Sequence, residues 1–173
     1  CNLYVEYADQ LTSICGSASY QIQRLWTVTD NCTGHHREAI QNIVILDDTA
    51  PVLNCPSVLT FGTDNGNCSG TVQLPQVSAV DNCSNDITIT VRTSYGAEGF
   101  APHSNVELGW HTATYTAIDD CGNRSTCEVV ILVEDDTAPQ VACDDELFVT
   151  IVGDQRAMLE AWTVSENTID NCA

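Results

Sequence analysis

Apolar and polar residues alternate along much of this chain in short stretches. The clearest, Ile87-Thr88-Ile89-Thr90-Val91, has the period of two that sends every second side chain to one face of a β-strand. Two continuous apolar runs, Ile43-Val44-Ile45-Leu46 and Val129-Val130-Ile131-Leu132-Val133, predict more deeply buried strands. Thr, Val, Ile, Ser and Asn recur while aromatics make up 6% of the chain, so the predicted fold class is all-β. The turns Gly62–Asn67 and Asp119–Asn123 delimit strand A at about 52–61, B at 70–78, C at 86–94, E at 105–109, F at 111–118 and G at 124–134, with 95–105 as loop or short edge strand.

The same pattern occurs more than once. Asp47-Asp48-Thr49-Ala50-Pro51 returns as Asp135-Asp136-Thr137-Ala138-Pro139, offset by 88 residues, each copy preceded by an apolar strand and followed by a cysteine at Cys55 or Cys143. Asp-Asn-Cys stands at Asp30-Asn31-Cys32, Asp81-Asn82-Cys83 and Asp170-Asn171-Cys172. A unit of this size suits a seven-stranded immunoglobulin-like antiparallel β-sandwich. The expected organisation is the C-terminal half of a repeat at 1–46, a complete repeat at 47–134 and the N-terminal half of the next at 135–173. Pro51, Pro139 and the paired aspartates place the boundaries, since they make poor strand interiors.

Composition adds the compartment. Ten cysteines in 173 residues, with no dense Cys-x-x-Cys pairs, predict a disulfide framework formed outside a reducing cytosol, so the expected location is extracellular or cell-surface. Cys121 and Cys127, six apart, do not have structural-zinc spacing. Acidic residues number 24 against five arginines, giving a net charge of -19, which argues against nucleic acid and anionic membrane surfaces as partners and makes divalent cations natural counter-ions. Without lysine no Lys–Asn isopeptide staple can form. No apolar run approaches the roughly 18 residues of a membrane span. The start at Cys1, with neither an initiator Met nor a signal peptide, predicts a piece of a longer protein.

In order along the chain, Asp-x-Thr-x-Pro, Cys55-Pro56, the loop closing near Gly109, Tyr115-Thr116-Ala117-x-Asp119, Cys121-Gly122-Asn123 and Cys127 resemble the hyalin repeat, or HYR, domain. Trp26-Thr27-Val28-Thr29-Asp30-Asn31-Cys32 resembles the same F-strand motif with Trp in place of Tyr. Cys143 departs from the pattern, being followed by Asp144 and not Pro, and 33–42 has no counterpart of Cys127. The resemblance implies an immunoglobulin-like module of cell adhesion. Cysteine-rich versions resemble those arrayed in giant surface proteins or filaments of gliding or filamentous Gram-negative bacteria.

That topology puts the incoming linker at the same end as the B–C and F–G loops, so Asp47, Asp48, Asp81, Asp119 and Asp120 are expected to converge with Asn82. Five carboxylates repel unless neutralised, and Ca²⁺ at domain junctions is the expected cofactor. Asp135, Asp136 and Asp170, with Asp144 and Asp145 nearby, form the corresponding set at the next junction. The competing reading is that these aspartates cap turns and favour solvation. Topology also pairs Cys83 with Cys121, by repeat equivalence Cys1 with Cys32, Cys55 with Cys127 on neighbouring parallel strands, and Cys68 with Cys143 as an interdomain staple.

Other chemistry is thinly signalled. His35-His36-x-Glu38 lacks metal-ligand spacing, since neighbours on a strand face opposite ways, and His103 and His111 are isolated. No Gly-x-Ser-x-Gly stands in the chain, and a non-enzymatic role is expected. Trp26 takes a position expected to be buried, while Trp110 and Trp162 are candidate sugar platforms set against plain packing. Asn31, Asn67, Asn82 and Asn123 stand in N-glycosylation sequons, three of them with cysteine at the centre. Thr49 and Thr137 sit in an Asp-Thr-Ala O-glycosylation signal. The function read from all this is a non-catalytic structural or adhesive repeat of a long extracellular surface protein. Its expected partners are neighbouring repeats, laterally assembling copies and a cell-surface glycan or protein. The alternative is an accessory carbohydrate- or protein-binding module of a secreted hydrolase.

Overall fold

The computed structural model describes residues 2–16, 19–141, 148, 153 and 169–172, and among these the chain is all-β. Eleven strands run in order: β1 Leu3–Cys15, β2 Ser19–Asp30, β3 His36–Ile45, β4 Val52–Asn54, β5 Val58–Gly62, β6 Ser69–Val72, β7 Ser78–Val80, β8 Ile87–Thr93, β9 His103–Glu107, β10 Gly109–Asp119 and β11 Arg124–Glu134. No described helix is long and apolar enough to cross a membrane.

The chain divides into two compact units. One comprises Cys1–Pro56, Gln76–Arg92 and Thr114–Glu128, and the other Ser57–Pro75, Thr93–Ala113 and Val129–Ala173. Strands β1, β2 and β3 form an antiparallel sheet in the first unit, its register running from Leu3↔Asp30 to Ser13↔Tyr20 and from Tyr20↔Ile45 to Thr29↔His36. The β2–β3 turn closes through Gly34 N–H to the Asp30 carbonyl at 2.8 Å, and Gly34 adopts φ +72°, a left-handed conformation that glycine reaches without a Cβ clash.

Residues 52–134 build the remaining sheets: β5-β11-β10-β8, β4-β7 and β6-β9. β5 runs parallel to β11, from Val58↔Val130 to Gly62↔Glu134, while β4–β7 and β6–β9 are antiparallel. The strand expected at 52–61 is thus two strands. Pro56 has no N–H to give a ladder and breaks the run, letting β4 and β5 join different sheets. The strand expected at 70–78 is likewise divided between β6 and β7, with Pro75 in the gap.

Alternation sets the interior. Along β10, Ala113, Tyr115, Ala117 and Asp119 are buried, and along β11 Val129, Ile131 and Val133. Among the described residues, Val72, Leu74, Val106, Ala113, Val129, Ile131 and Val133 are buried in the second unit, and Pro51, Val91, Tyr115 and Ala117 in the first. Each large apolar side chain fully withdrawn from water contributes about 1.5–3 kcal/mol. Trp26, expected to be buried, is half-buried: Tyr7 and the Arg24 guanidinium lie against its ring, and its indole N–H donates to Gln41 Oε1 at 3.0 Å.

Candidate metal centre

Three of the predicted acidic residues meet in the first unit. Asp47 follows β3, Asp81 follows β7 and Asp119 ends β10; one carboxylate oxygen from each lies within 4.8 Å of the others. Asp47 and Asp119 are 8% and 6% exposed. Each is first a turn residue, since Asp accepts hydrogen bonds from backbone N–H groups just ahead of it. Asp47 Oδ1 accepts from Thr49 N–H at 3.2 Å. Asp81 Oδ1 accepts from Cys83 N–H and Ser84 N–H, both at 2.8 Å. Asp119 Oδ1 accepts from Cys121 N–H at 2.9 Å and Asn123 N–H at 2.8 Å.

Two polar side chains tie the cluster together. Ser84 Oγ donates to Asp47 Oδ2 at 3.3 Å and bonds the Asp120 carboxylate. Asn123 Nδ2 donates to Asp119 Oδ2 at 2.9 Å and to the Asp47 carbonyl at 3.0 Å. Ser19, almost fully buried, receives the Asp47 N–H on its hydroxyl at 2.7 Å. These three residues were missed in the sequence reading; the available signal was that Ser84 and Asn123 each follow an Asp-x-Cys by one or two positions. Burial acts to raise the Asp119 carboxyl, but the Asn123 side chain and the N–H groups of Asn123, Cys121 and Gly122 outweigh it and hold the group below its ordinary value.

Asp81 Oδ2 is buried without a hydrogen-bond partner. A carboxylate oxygen left over beside two other carboxylates suits a hard cation, and Ca²⁺ takes six to eight oxygens from carboxylates, carbonyls and waters. Asp47, Asp81 and Asp119 are the residues that would hold it, so the donor set fits the ion.

The other predicted acids stand apart from this group. Asp48 is exposed, and Asp120 is engaged by Ser84 and lies against Gly16. In the second unit Asp135 Oδ1 accepts from Thr63 Oγ1 at 3.2 Å and from Thr137 N–H at 3.0 Å, the Asp136 carboxylate lies against Gly62, and Asp170 Oδ1 accepts from Cys172 N–H at 2.9 Å. Among the described residues these three do not form a comparable ligand group. Asp144 and Asp145 lie outside the described residues.

The cysteine pairing corrects two expectations. Cys121 is bonded to Cys15, 106 residues away with Cα atoms 5.0 Å apart, and not to Cys83, which is an exposed free thiol. The β1–β2 turn reaches the β10–β11 turn, and that proximity decides the pair. Cys68 is bonded to Cys172 with Cα atoms 4.7 Å apart, and not to Cys143. Asn171 Nδ2 donates to Thr63 Oγ1 at 2.8 Å and to the Asn67 carbonyl at 3.1 Å, which holds the neighbouring Cys172 beside Cys68. Cys55 is bonded to Cys127, Cα atoms 6.6 Å apart. Cys1, the expected partner of Cys32, and Cys143 lie outside the described residues.

Thr49 is exposed and Thr137 half-buried, each donating its backbone N–H to the aspartate two residues before it. The Asn123 side-chain nitrogen is committed to Asp47 and Asp119. His35 and His36 are exposed; His103 Nδ1 is hydrogen-bonded to Tyr95 Oη at 2.8 Å, and His111 Nε2 to the Glu107 carbonyl at 2.8 Å. Trp110 is 69% exposed, against the expectation of packing, while Trp162 lies outside the described residues.

Similarity to known proteins spans nearly two thirds of the chain. Hyalin of Lytechinus variegatus is 33% identical over 113 residues, covering 64% of this chain and 20% of hyalin. The sushi, von Willebrand factor type A, EGF and pentraxin domain-containing protein 1 of Rattus norvegicus is 28% identical over 109 residues, covering 63% of this chain and 3% of that protein. The chain thus spans a fifth or less of the length of these relatives. The HYR domain family matches residues 46–133, more than half of the chain, and the chain belongs to that family.

Proposed function

We propose that this chain is a non-catalytic structural and adhesive module of a long extracellular surface protein, in which Ca²⁺ held by Asp47, Asp81 and Asp119 stiffens the joint at the start of the HYR domain. The observation that carries the reading is the Cys15–Cys121 bond, which ties the β1–β2 turn to a turn inside residues 46–133, right beside the carboxylate cluster. A covalent tie and a cation at one joint resist bending under load, as a tension-bearing array requires. Neighbouring repeats of the same protein are the first partners in this reading. Thr49, exposed at the linker, and Thr137 are the positions for O-linked sugar.

Single-molecule stretching of the oxidised chain tests it. The expected result is a high unfolding force in Ca²⁺ that falls with chelator, and a longer extension after reduction as the chain between Cys15 and Cys121 is released. Unfolding at the same force with and without both treatments would overturn the reading. Saturable binding to one polysaccharide on a glycan array, with a catalytic domain in the parent gene, would establish the alternative of an accessory module of a secreted hydrolase.

A further inference from the structure

In the second unit, β6 and β9 pair out of step by one residue. Val72 stands opposite His103 and Gly70 opposite Val106, so three steps along β9 answer two along β6, and the extra residue bulges at Ser104–Asn105. Asn105 takes φ +60°, a left-handed conformation that a Cβ opposes and that asparagine tolerates better than most residues. In a regular strand residues three apart face opposite ways, but here both His103 and Val106 face the side of the buried Val72, because directly paired residues share a face. Ser104, Asn105 and Glu107 are exposed.

A cavity of about 490 Å³ lies at this bulge, lined by Tyr95, His103 and His111 together with Asn105 and Val106. Both imidazoles meet the Tyr95 ring edge-on, with centroids 5.6 Å away for His103 and 5.4 Å for His111 and interplanar angles of 72° and 88°. Tyr95 Oη lies 2.8 Å from His103 Nδ1, and His111 Nε2 lies 2.8 Å from the Glu107 carbonyl, so each imidazole is held in place. Of the first pair the phenol is the better donor and the imidazole nitrogen the better acceptor, which leaves the proton of neutral His103 on Nε2. That nitrogen is buried, and among the described residues it has no hydrogen-bond partner. A buried N–H left unbonded costs stability, so the fold keeps here a donor whose acceptor comes from outside the chain. Bulges and left-handed residues other than glycine both concentrate at binding sites.

We infer that this cavity is a binding site for a neutral sugar residue. An apolar ligand would leave the His103 Nε2–H unsatisfied, and an anion would meet Glu107 in the lining and a net charge of -19. A metal ion is not favoured either, because among the described residues His103, His111 and Glu107 do not bring three ligand atoms within 4.8 Å of one another. A sugar hydroxyl both donates and accepts, so it can take the Nε2–H and also pair with the Asn105 amide, the Ser104 hydroxyl or the Glu107 carboxylate, while its C–H face packs on Tyr95 and Ala97. The volume falls within the roughly 300–1,000 Å³ of small-molecule sites. Nε2 is out of contact with water, so a ligand oxygen meets it after a lining side chain changes rotamer, a common adjustment on binding. The inference gives the adhesive reading a ligand class and rests on that reading for its use, but it involves neither calcium nor the Cys15–Cys121 bond.

Nuclear magnetic resonance of the full oxidised, isotopically labelled chain tests it, with glucose, galactose, mannose, N-acetylglucosamine and cellobiose as probes in the millimolar range. The expected result is a saturable shift with at least one of these sugars, centred on the His103 imidazole nitrogens and the Asn105 side-chain amide. Asn105→Gly should weaken that binding about tenfold, since glycine keeps the φ +60° backbone and removes only the amide. His103→Phe should weaken it at least as much by removing Nε2, and if that variant does not fold Asn105→Gly still decides. His35→Ala, outside the cavity, should leave binding unchanged. No saturable shift with any of the sugars, undiminished affinity in Asn105→Gly, or shifts at His103 and His111 with zinc chloride or sodium acetate alone would overturn the inference. Should the sugars fail while the unfolding force still responds to calcium and reduction, the sugar site falls and the proposed function stands.

Discussion

Asp119 Oδ1 accepts the backbone N–H of Cys121 at 2.9 Å, so the carboxylate that lines the candidate metal centre also shapes the turn presenting a disulfide cysteine. The same contact recurs from Cys32 to Asp30, from Cys83 to Asp81 and from Cys172 to Asp170, at 2.8, 2.8 and 2.9 Å. Aspartate two residues before cysteine is therefore first a turn device. The metal reading depends on which of these turns the fold gathers in one place.

Acid should loosen the molecule from a low starting pH. Asp9 is held below its ordinary value by the Arg24 guanidinium, Asp30 by the N–H of Cys32 and the Thr33 hydroxyl, and Asp119 is lowered on balance despite its burial. Folded-state values below the unfolded ones mean that this stabilisation is complete above the ordinary carboxylate range and is lost as pH falls through the folded values. Melting temperature should accordingly be flat near neutrality and decline below about pH 4. A decline that begins near pH 6 would point to the histidines instead.

Calcium should raise the melting temperature, and EGTA should lower it. An ion bound only to the folded chain at about a hundred times its Kd adds about 2.7 kcal/mol. Asp81→Asn should abolish the response while leaving the apo melting temperature close to that of the parent, since the amide oxygen can still accept from Cys83 and Ser84. A calcium response that survives in Asp81→Asn would place the ion elsewhere.

Cys83 offers a second reading of the same site. Partial loss of hydration, followed by the Asp47 and Asp81 carboxylates, raises its thiol pKa, so alkylation by iodoacetamide should be slower than for an ordinary exposed cysteine. Calcium on those carboxylates should speed the reaction by removing their repulsion of the thiolate. Non-reducing peptide maps should show Cys83 unpaired alongside Cys15–Cys121, Cys55–Cys127 and Cys68–Cys172; a Cys83–Cys121 peptide would contradict the pairing.

In the second unit Gly70 has no room for a side chain. A Cβ there would stand 2.7 Å from the Gly62 carbonyl oxygen and 3.0 Å from Val133 Cγ1. Gly70→Ala should cost about 1–3 kcal/mol through overpacking, and Ile131→Ala about 2–5 kcal/mol through the cavity it leaves. Urea denaturation measures both; a neutral Gly70→Ala would mean that β6 shifts freely against Gly62.

Much of this molecule was legible from local pattern. A period of two marks Ala113, Tyr115 and Ala117 as one buried face of β10, and the paired Asp-Asp-Thr-Ala-Pro segments mark turns at both ends of the HYR domain, because side-chain direction and turn chemistry depend on near neighbours. The partition of residues 52–80 among separate sheets was not legible in that way. Proline at 56 and 75 shows where a strand stops but not which strand it next joins. Nor was the choice of disulfide partners, since four of the ten cysteines stand in the same Asp-x-Cys setting and differ little locally, and bonds spanning 106 and 104 residues follow from which turns the folded chain brings within reach. The same holds for the candidate site. Sequence supplied eight candidate aspartates; only the packing of three turns selected Asp47, Asp81 and Asp119 and left Asp48 in water, because convergence is a property of distance in space and not of residue type.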